Sequence, residues 1–321
     1  MRKWLPVIVL IAVAICFPLI VRTAYFVQVL TLAGIYMVLA LSYDMIVGQV
    51  GSLSLAHPAF FGVGAYTVAL LVTETGVGVL PAFVAGAALA GLIAILVGIP
   101  SFRLHERSFA IGTLGLALVL QLVANNWMGL TNGPMCVYAI PALAFTLPGG
   151  VKFTTVSLTD AYYGILVVAL GTFVLSFVVS SSRVGRAFHA IKENELLAEA
   201  QGVDALFYKM FAFTLGAAIA GVAGGYYATW LRVVCPALMG LPYTITLLII
   251  VFIGGRGSLR GIALAAILCT ILPEVLRISD SARLVIYGVL LLVFVLYIPG
   301  GLEGAIEGVN RLTTRRGGSP H

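Results

Sequence analysis

The sequence predicts an all-α fold class, a polytopic transmembrane helical bundle, from its composition and the length of its apolar runs. Hydrophobic residues fill 61% of the 321 positions and charged residues only 9%, whereas soluble domains average about 45–50% and about 25%. Because a soluble core cannot bury this excess, lipid must cover most of the surface. The backbone N–H and C=O groups of a chain in lipid must form hydrogen bonds with one another, within helices or a closed barrel. The apolar runs lack the period-2 alternation of a barrel.

About ten apolar runs are candidates for membrane spans, since a helix needs about 20 residues to cross about 30 Å of hydrocarbon. In chain order the runs cover residues 4–21, 25–47, 53–72, 79–100, 109–127, 159–181, 208–231, 242–254, 261–276 and 282–298. The eighth and ninth runs are short. The first run follows Arg2 and Lys3, as the apolar part of a cleaved signal peptide would. Because Arg22-Thr23-Ala24 is a poor cleavage site, we interpret the run as an uncleaved span.

The distribution of lysine and arginine predicts the orientation of these spans. With the N-terminus on the cytoplasmic side, thirteen of the 18 Lys and Arg residues fall in inner segments and five in outer segments. Positive residues concentrate in cytoplasmic loops, so this bias favours a topology with both termini inside (N-in/C-in). The same bias accounts for the net charge of +6 without a nucleic-acid partner.

The chain is predicted to form a single membrane domain over residues 1–321. Its two long loops are residues 128–158, placed outside, and residues 182–207, placed in the cytoplasm, and the tail over residues 311–321 is expected to be disordered. Cys136 and Cys235 both fall in outer loops, and whether they pair is left open. Gly221 and Gly225 have the G-x-x-x-G spacing, which we interpret as tight helix packing within the bundle.

The sequence contains no constellation of residues typical of catalysis. It has no G-x-x-x-x-G-K-[ST] phosphate-binding loop, no Gly-Lys pair and no H-E-x-x-H motif, and its four histidines are scattered. We therefore predict a chain that is not an enzyme and that holds no metal or cofactor of its own. If ATP drives its activity, partner subunits must bind the nucleotide and its magnesium.

Residues 48–58, the broken-helix segment, join two apolar runs without a hydrophilic loop. Gln49, Ser52, Ser54 and His57 place polar groups close to membrane depth there. Irregular polar backbone is tolerated at that depth only inside protein or along a water-filled path. Two interpretations are open, namely a broken helix that lines a solute pathway, which we favour, and an ordinary tight turn at the cytoplasmic surface.

Residues 254–261, the second glycine segment, have a similar character. Both segments contain Gly-Ser-Leu and both follow a span that runs inward, which hints at an internal repeat of the kind found in transporters. Asp44 and Glu274 add two ionisable groups inside the second and ninth spans, where such groups are often functional. Asp44 alternatively lies close enough to the inner surface to be hydrated, and Glu274 alternatively pairs with Arg277, so we assign no proton relay.

Residues 182–207, the docking segment, have apolar positions at helical spacing with charges between them. This pattern predicts one or two short amphipathic helices. Such helices either lie on the lipid surface or dock onto a soluble partner, and we favour docking. Gly185 and Gly202 are expected to supply positive φ angles at helix ends, and Leu196 and Ala200 are expected to enter a groove on the partner.

Four separated motifs, all in the expected order, resemble the permease subunits of branched-chain amino acid ABC importers, in particular the LivM-type subunit. They are Gly48-Gln49 with Ser52-Leu53-Ser54-Leu55 and His57 through Tyr66; Phe109-Ala110-Ile111 with Leu130-Thr131; Gly185-Arg186-Ala187 through Glu193-Asn194-Glu195, then Glu199-Ala200 and Gly202; and the second glycine segment. The resemblance covers about residues 25–300. The sequence departs from the family pattern at Ala56, Pro58, Asn132 and Cys136, which leaves the exact solute open.

The resemblance implies a permease subunit of the bacterial inner (cytoplasmic) membrane that imports leucine, isoleucine and valine. The implied partners are a second homologous permease, two cytoplasmic ATPase subunits and a periplasmic solute-binding protein, besides membrane lipid. The docking segment would then couple the chain to the ATPase through Gly185, Arg186, Glu193, Glu195, Glu199, Ala200 and Gly202. Alternatives are the same architecture importing urea, amides or aromatic acids, and a stand-alone channel or ion-coupled carrier.

Overall fold

The computed structural model describes residues 23–103, 106–146, 152–155, 157–275, 288–289 and 301–304. Within these residues the backbone is predominantly helical, as the apolar composition predicts. The predicted first span, the expected tail and all of the tenth span except residues 288–289 lie outside the described residues.

The described helices follow one another with short connections. In chain order they are α1 (Ala24–Asp44), α2 (His57–Glu74), α3 (Val79–Ser101), α4 (Glu106–Asn126), α5 (Met128–Thr131), α6 (Leu158–Ser181), α7 (Arg183–Glu193), α8 (Glu195–Ala200), α9 (Ala205–Leu231), α10 (Leu241–Gly254) and α11 (Leu259–Val275). Helix α1 continues as a π-helical turn over Met45–Val50, and 3-10 turns cover Gly133–Met135 and Pro236–Met239.

Several of these helices suit a membrane. Five stretches are long and apolar enough to cross one, namely Ala24–Val50, Val79–Ser101, Ser108–Asn126, Leu158–Ser181 and Ala205–Leu231. Leu241–Gly254 and Leu259–Leu272 are shorter apolar helices, as predicted for the eighth and ninth runs. Val84, Leu96, Ile111 and Val167 are exposed on helix surfaces, which suits lipid rather than water. The predicted all-α, multi-pass membrane fold is thus confirmed, while ten spans and the N-in/C-in topology stay predictions.

Helix α9 is central to the packing of the bundle. It contacts α1, α2 and α3, and α1 in turn contacts α6 and α11. A Cβ atom on Gly224 would lie 1.9 Å from the carbonyl oxygen of Phe61, and one on Gly64 would lie 2.2 Å from the carbonyl oxygen of Gly221. Only glycine permits backbones to approach this closely. The pair Gly221 and Gly225 also packs inside the bundle, because added Cβ atoms there would lie 2.9 Å from the carbonyl oxygen of Gly86 and 2.7 Å from Cγ2 of Val68, which agrees with the packing interpretation.

The connection between α5 and α6 contains short strands, which the all-α prediction missed. Strands β2 (Ala144–Thr146) and β3 (Lys152–Thr154) form an antiparallel ribbon. Strand β1 (Val137–Tyr138) pairs with β4 (Val233–Val234), which follows α9. Cys136 and Cys235, next to β1 and β4, form a disulfide, which answers the open question of their pairing. Strands of two or three residues are too short for a periodic sequence pattern.

Candidate functional site

The chain interrupts its helix between α1 and α2. After the π-helical turn, Gly51 adopts a left-handed conformation at φ +91° and ends the helix, and residues 51–56 run without regular structure before α2 begins at His57. Pro58 sits in the first turn of α2, where a residue without an N–H group is tolerated. The predicted helical run from residue 53 therefore starts too early, because the chain cannot resume a helix until Pro58 is in its first turn.

The four predicted pathway residues lie inside the protein. Gln49, Ser52, Ser54 and His57 are between 0% and 6% exposed, although an ordinary surface turn would leave polar side chains in water. Their enclosure by helices agrees with the broken-helix interpretation. A role in solute passage stays a prediction.

Hydrogen bonds tie the broken-helix segment to α1. The Nε2 atom of His57 lies 2.8 Å from the hydroxyl oxygen of Ser42, and the hydroxyl of Tyr43 donates to the carbonyl oxygen of Ser54 over 2.5 Å. Ser42 and Tyr43 both lie in the last turn of α1 and are fully buried. One bond therefore connects the last turn of α1 to the first residue of α2, and the other connects it to the interruption itself.

A third contact reaches α4. The backbone N–H of Leu55 donates to the hydroxyl oxygen of Thr113 over 3.0 Å. Thr113 is buried and sits about two turns into α4. Sequence reasoning missed Ser42, Tyr43 and Thr113, because single hydroxyl groups inside apolar runs are common and give no motif.

Some buried polar atoms in this region lack a well-formed hydrogen bond with the described residues. The carboxamide of Gln49 lies beside the carboxyl of Asp44, yet neither of its polar atoms completes a well-formed hydrogen bond with any described residue. The same holds for Oδ2 of Asp44 and Nδ1 of His57. Leaving such a group unpaired costs about 1–3 kcal/mol, so this part of the bundle favours an added partner such as water or a polar solute.

The broken-helix segment and the second glycine segment meet directly. The backbone N–H of Gly257 donates to Oδ1 of Asp44 over 2.8 Å, and Asp44 is 0% exposed. The carboxyl of Asp44 therefore does not face bulk solvent, because Gly257 and the π-helical turn enclose it, and this burial does not support hydration from the inner surface. Glu274 lies in the last turn of α11, and its predicted partner Arg277 lies outside the described residues.

The contact between the two segments requires glycine on both sides. A Cβ atom on Gly48 would lie 1.6 Å from Oδ1 of Asp44 and 2.6 Å from the backbone nitrogen of Gly257. Gly257 itself adopts φ +86°, a conformation that costs other residues energy. The glycines therefore let a carboxylate and two backbone segments share one small space.

The docking segment joins the same place through Lys192, near the end of α7. Its ammonium group donates to the carbonyl oxygen of Gly48 over 2.5 Å. Partial burial lowers the pKa of Lys192, the carboxylate of Asp44 opposes this shift, and the positive charge of Arg256 adds to it. We call Asp44, Gly48, Lys192 and Gly257 the junction.

The docking segment folds into two short helices, α7 and α8, as predicted. Each helix begins at a side-chain cap, which replaces a missing backbone partner. Ser182 accepts from the N–H of Val184 over 3.1 Å, and Asn194 accepts from the N–H of Leu197 over 3.0 Å. Helix α7 is amphipathic, and the side that carries Ala187, Phe188 and Ile191 is buried against the bundle.

Most of the predicted coupling residues are accessible on this surface. The exposed ones are Arg186, Glu193, Glu195, Glu199, Ala200 and Gly202. Leu196 is 79% exposed, and the neighbouring Leu197 and Phe207, which sequence reasoning missed, are 57% and 60% exposed. Two adjacent leucines and a phenylalanine on a surface that otherwise carries charges indicate a contact site for another molecule.

The two bracketing glycines have different roles. Gly202 adopts φ +84° after α8, so the predicted left-handed conformation is confirmed there. The prediction for Gly185 is wrong, because this residue lies inside α7 with an ordinary helical backbone. Its Cβ atom would lie 2.0 Å from the carbonyl oxygen of Ser180, so glycine is needed there to let α7 turn back tightly against the end of α6.

A helical bundle with apolar outer surfaces, a broken helix in its core and a capped pair of short helices between spans is typical of a polytopic membrane permease. The chain belongs to the family described as branched-chain amino acid transport system / permease component, whose family model matches residues 25–296. The predicted family and permease role are thereby confirmed.

Relatives over most of the chain agree with this assignment. The chain is 29% identical to the high-affinity branched-chain amino acid transport system permease protein LivM of Escherichia coli K12, over 94% of this chain and 75% of that protein. It is 31% identical to the LivM protein of Salmonella typhimurium LT2, over 91% and 73%. It is also 25% identical to the LivH permease protein of Escherichia coli K12, over 86% and 94%. No solved structure matches the chain.

Proposed function

We propose that this chain forms half of the translocation pathway of an ATP-driven importer for leucine, isoleucine and valine in a bacterial inner membrane. The observation that carries the proposal is the docking segment, which presents Leu196, Leu197 and Phe207 to solvent in a chain without a nucleotide-binding motif. An exposed amphipathic helix of this kind binds in a groove of a partner protein. The relatives named for branched-chain amino acid transport support the choice of solute.

The proposed assembly contains a second homologous permease, two ATPase subunits that bind ATP and magnesium, and a periplasmic binding protein. The similarity of this chain to both LivM and LivH proteins supports a pairing of two related permeases. The ATPases would contact α7 and α8 through the accessible coupling residues, and the binding protein would deliver solute on the other side of the membrane.

Uptake by the complete complex in proteoliposomes tests this function. We expect uptake of labelled leucine, isoleucine and valine that requires ATP and the loaded binding protein. Uptake of urea, amides or aromatic acids instead would support the alternative solutes, and uptake without ATP would support a channel or an ion-coupled carrier.

The docking surface can be tested in the same preparation. Ala200→Glu places a charge in the proposed groove, and Gly202→Trp adds bulk beside it, so each variant should insert normally but lose stimulated ATP hydrolysis and uptake. Gly129→Trp is the control for added bulk, because a Cβ atom on Gly129 meets no atom within 4 Å. Assembled complexes with normal stimulated hydrolysis would show that this segment is not the coupler.

The proposed N-in/C-in topology is testable by cysteine labelling. Ser157 precedes α6 and His189 lies on α7, and both are exposed. In spheroplasts, a membrane-impermeant thiol reagent should label Ser157→Cys directly, and should label His189→Cys only after permeabilisation. The reverse pattern contradicts the thirteen-to-five bias of basic residues as a guide to the orientation.

A further inference from the structure

The junction brings together three segments that are far apart in the sequence. Lys192 and Gly48 are separated by 144 residues, and Asp44 and Gly257 by 213 residues. One of the three segments is the end of α7 in the docking segment, and the other two interrupt helices inside the bundle. The junction is therefore the place where the docking surface physically contacts the irregular backbone of the core.

The contact between α7 and the broken-helix segment involves backbone as well as the ammonium group. A Cβ atom on Gly51 would lie 3.2 Å from Cγ and 3.6 Å from Cα of Lys192. The stem of Lys192 thus passes Gly51 at van der Waals distance while its tip binds the Gly48 carbonyl. Lys192 therefore contacts the chain at two residues, namely Gly48 within the π-helical turn and Gly51 where that turn ends.

The other end of this connection is also fixed. Phe188 and Ile191 of α7 are buried in the core, so α7 cannot slide freely along the bundle. The broken-helix segment in turn holds His57 and Ser54, whose hydrogen bonds reach α1. A displacement of α7 would therefore be passed to the buried polar segment through packed groups rather than through solvent.

We propose that Lys192 is a positioning residue that makes the docking helix α7 and the broken-helix segment move as one body during transport. This proposal rests on the proposed function. Motion of the ATPases shifts α7, and the bond from Lys192 to the Gly48 carbonyl carries that shift into the helix interruption. Energy coupling between distant sites needs such a contiguous element whose position both sites bias.

If Lys192 has this role, removing its bond should reduce solute movement much more than ATP hydrolysis. In Lys192→Met the long stem remains but the bond to the Gly48 carbonyl is lost. We expect hydrolysis stimulated by loaded binding protein to stay within about twofold of the original, while the solute transported per ATP falls by about fivefold or more, as for loss of a typical coupling energy. An unchanged ratio of solute to ATP overturns the inference.

The control substitution is Lys152→Met in strand β3, which makes the same chemical change outside the docking segment and should leave the ratio unaltered. Thermal unfolding of the complex is measured alongside. If Lys192 only stabilised the fold, Lys192→Met would lower the unfolding temperature and reduce hydrolysis and transport in proportion, leaving the ratio intact.

A cross-link provides a second test that does not depend on the single variant. The Cβ atoms of residues 51 and 192 would lie 3.6 Å apart, within the range of a disulfide. In a background with both Cys16→Ala and Cys269→Ala, Gly51→Cys with Lys192→Cys should show a low solute-to-ATP ratio when reduced and a restored ratio when oxidised, whereas the background alone, which keeps the Cys136–Cys235 disulfide, should show the same ratio in both states. The reduced and oxidised states share any strain at Gly51, so they control for each other. Oxidation that forms the disulfide without restoring the ratio contradicts movement as one body.

The outcomes distinguish this inference from the proposed function. If the unaltered complex shows no ATP-dependent uptake, or if Ala200→Glu has no effect, the proposed function or its docking surface is wrong. If both of those results are as expected and Lys192→Met keeps its solute-to-ATP ratio, only the role of Lys192 is wrong.

Discussion

The broken-helix segment and the docking segment both interrupt a series of apolar helices, but they differ in which side chains they bury. The first is enclosed, with Gln49 only 1% and Ser54 0% exposed. The second leaves Leu196 79% and Leu197 57% exposed. Polar groups thus lie inside and apolar groups outside, which is the reverse of the arrangement that water favours.

The difference shows that the two segments require partners of different kinds. Buried polar atoms without hydrogen bonds gain from water or a solute that enters the bundle, whereas exposed leucines gain from a protein surface that covers them. The junction links these two requirements, because Lys192 of the docking segment binds the backbone of the broken-helix segment.

The largest effect is expected from adding one methyl group inside the junction. Gly48→Ala forces a Cβ atom to within 1.6 Å of the Asp44 carboxyl and 2.6 Å of the Gly257 nitrogen, so the hydrogen bond between them must break. Overpacking and the lost bond together should cost about 3 kcal/mol or more. The measurement is the yield of monodisperse protein in detergent and its thermal unfolding.

Gly115→Ala is the matched control for this change. Gly115 lies within α4, and a Cβ atom there meets nothing within 4 Å, so the variant should gain up to about 1 kcal/mol from helix propensity. If both variants behave alike, close packing at the junction does not determine stability.

A moderate effect is expected at Gln49, where stability and transport should change in opposite directions. Gln49→Leu removes two buried polar atoms that lack well-formed hydrogen bonds with the described residues, so the protein should become more stable by about 1 kcal/mol. If the carboxamide meets solute or its water, uptake should fall by about tenfold, equivalent to one lost buried hydrogen bond. Uptake and thermal unfolding are measured on the same preparation.

Gln121→Leu, on α4, controls for the same side-chain change away from the junction and should leave uptake unaltered. Normal uptake in Gln49→Leu would favour the simple turn over the pathway interpretation. Ser52→Leu offers an independent check, because Ser52 is also buried but lies beyond the end of the π-helical turn.

The sequence was sufficient to predict features that depend on neighbouring residues. Apolar runs predicted α1–α4, α6 and α9–α11 because composition and length are local properties, whereas the one-turn helix α5 lies in the segment predicted as an outer loop. The alternation of charge and apolar residues in the docking segment predicted two short helices, and the left-handed conformation of Gly202 followed from its position after a helix. The polar groups of residues 48–58 similarly marked the interruption between α1 and α2.

Features that depend on distant residues were not predictable. Nothing near Gly48 indicates that Lys192 reaches it, since the two are 144 residues apart. Gly185 resembled a helix cap by sequence, yet its constraint comes from the carbonyl of Ser180 after the chain turns back. The binding of Asp44 to a backbone N–H of the second glycine segment likewise exists only after α1 and α10 have packed together.

The smallest effect is expected at the ion pair between α8 and α9, and it separates two roles for a predicted coupling residue. Glu195 is 47% exposed and lies 2.5 Å from Nζ of Lys209. Because exposed ion pairs contribute about 0–1 kcal/mol, Glu195→Gln should change the unfolding free energy by less than about 1 kcal/mol.

If Glu195 acts only by holding α8 against α9, Glu195→Gln and Lys209→Met should lower stimulated ATP hydrolysis equally and slightly. If Glu195 also contacts the ATPase, Glu195→Gln should lower hydrolysis more than Lys209→Met at the same stability, because only the glutamate substitution removes a group from the interface. Measuring hydrolysis and unfolding for both variants decides between the two roles, and a larger effect of Lys209→Met would contradict both.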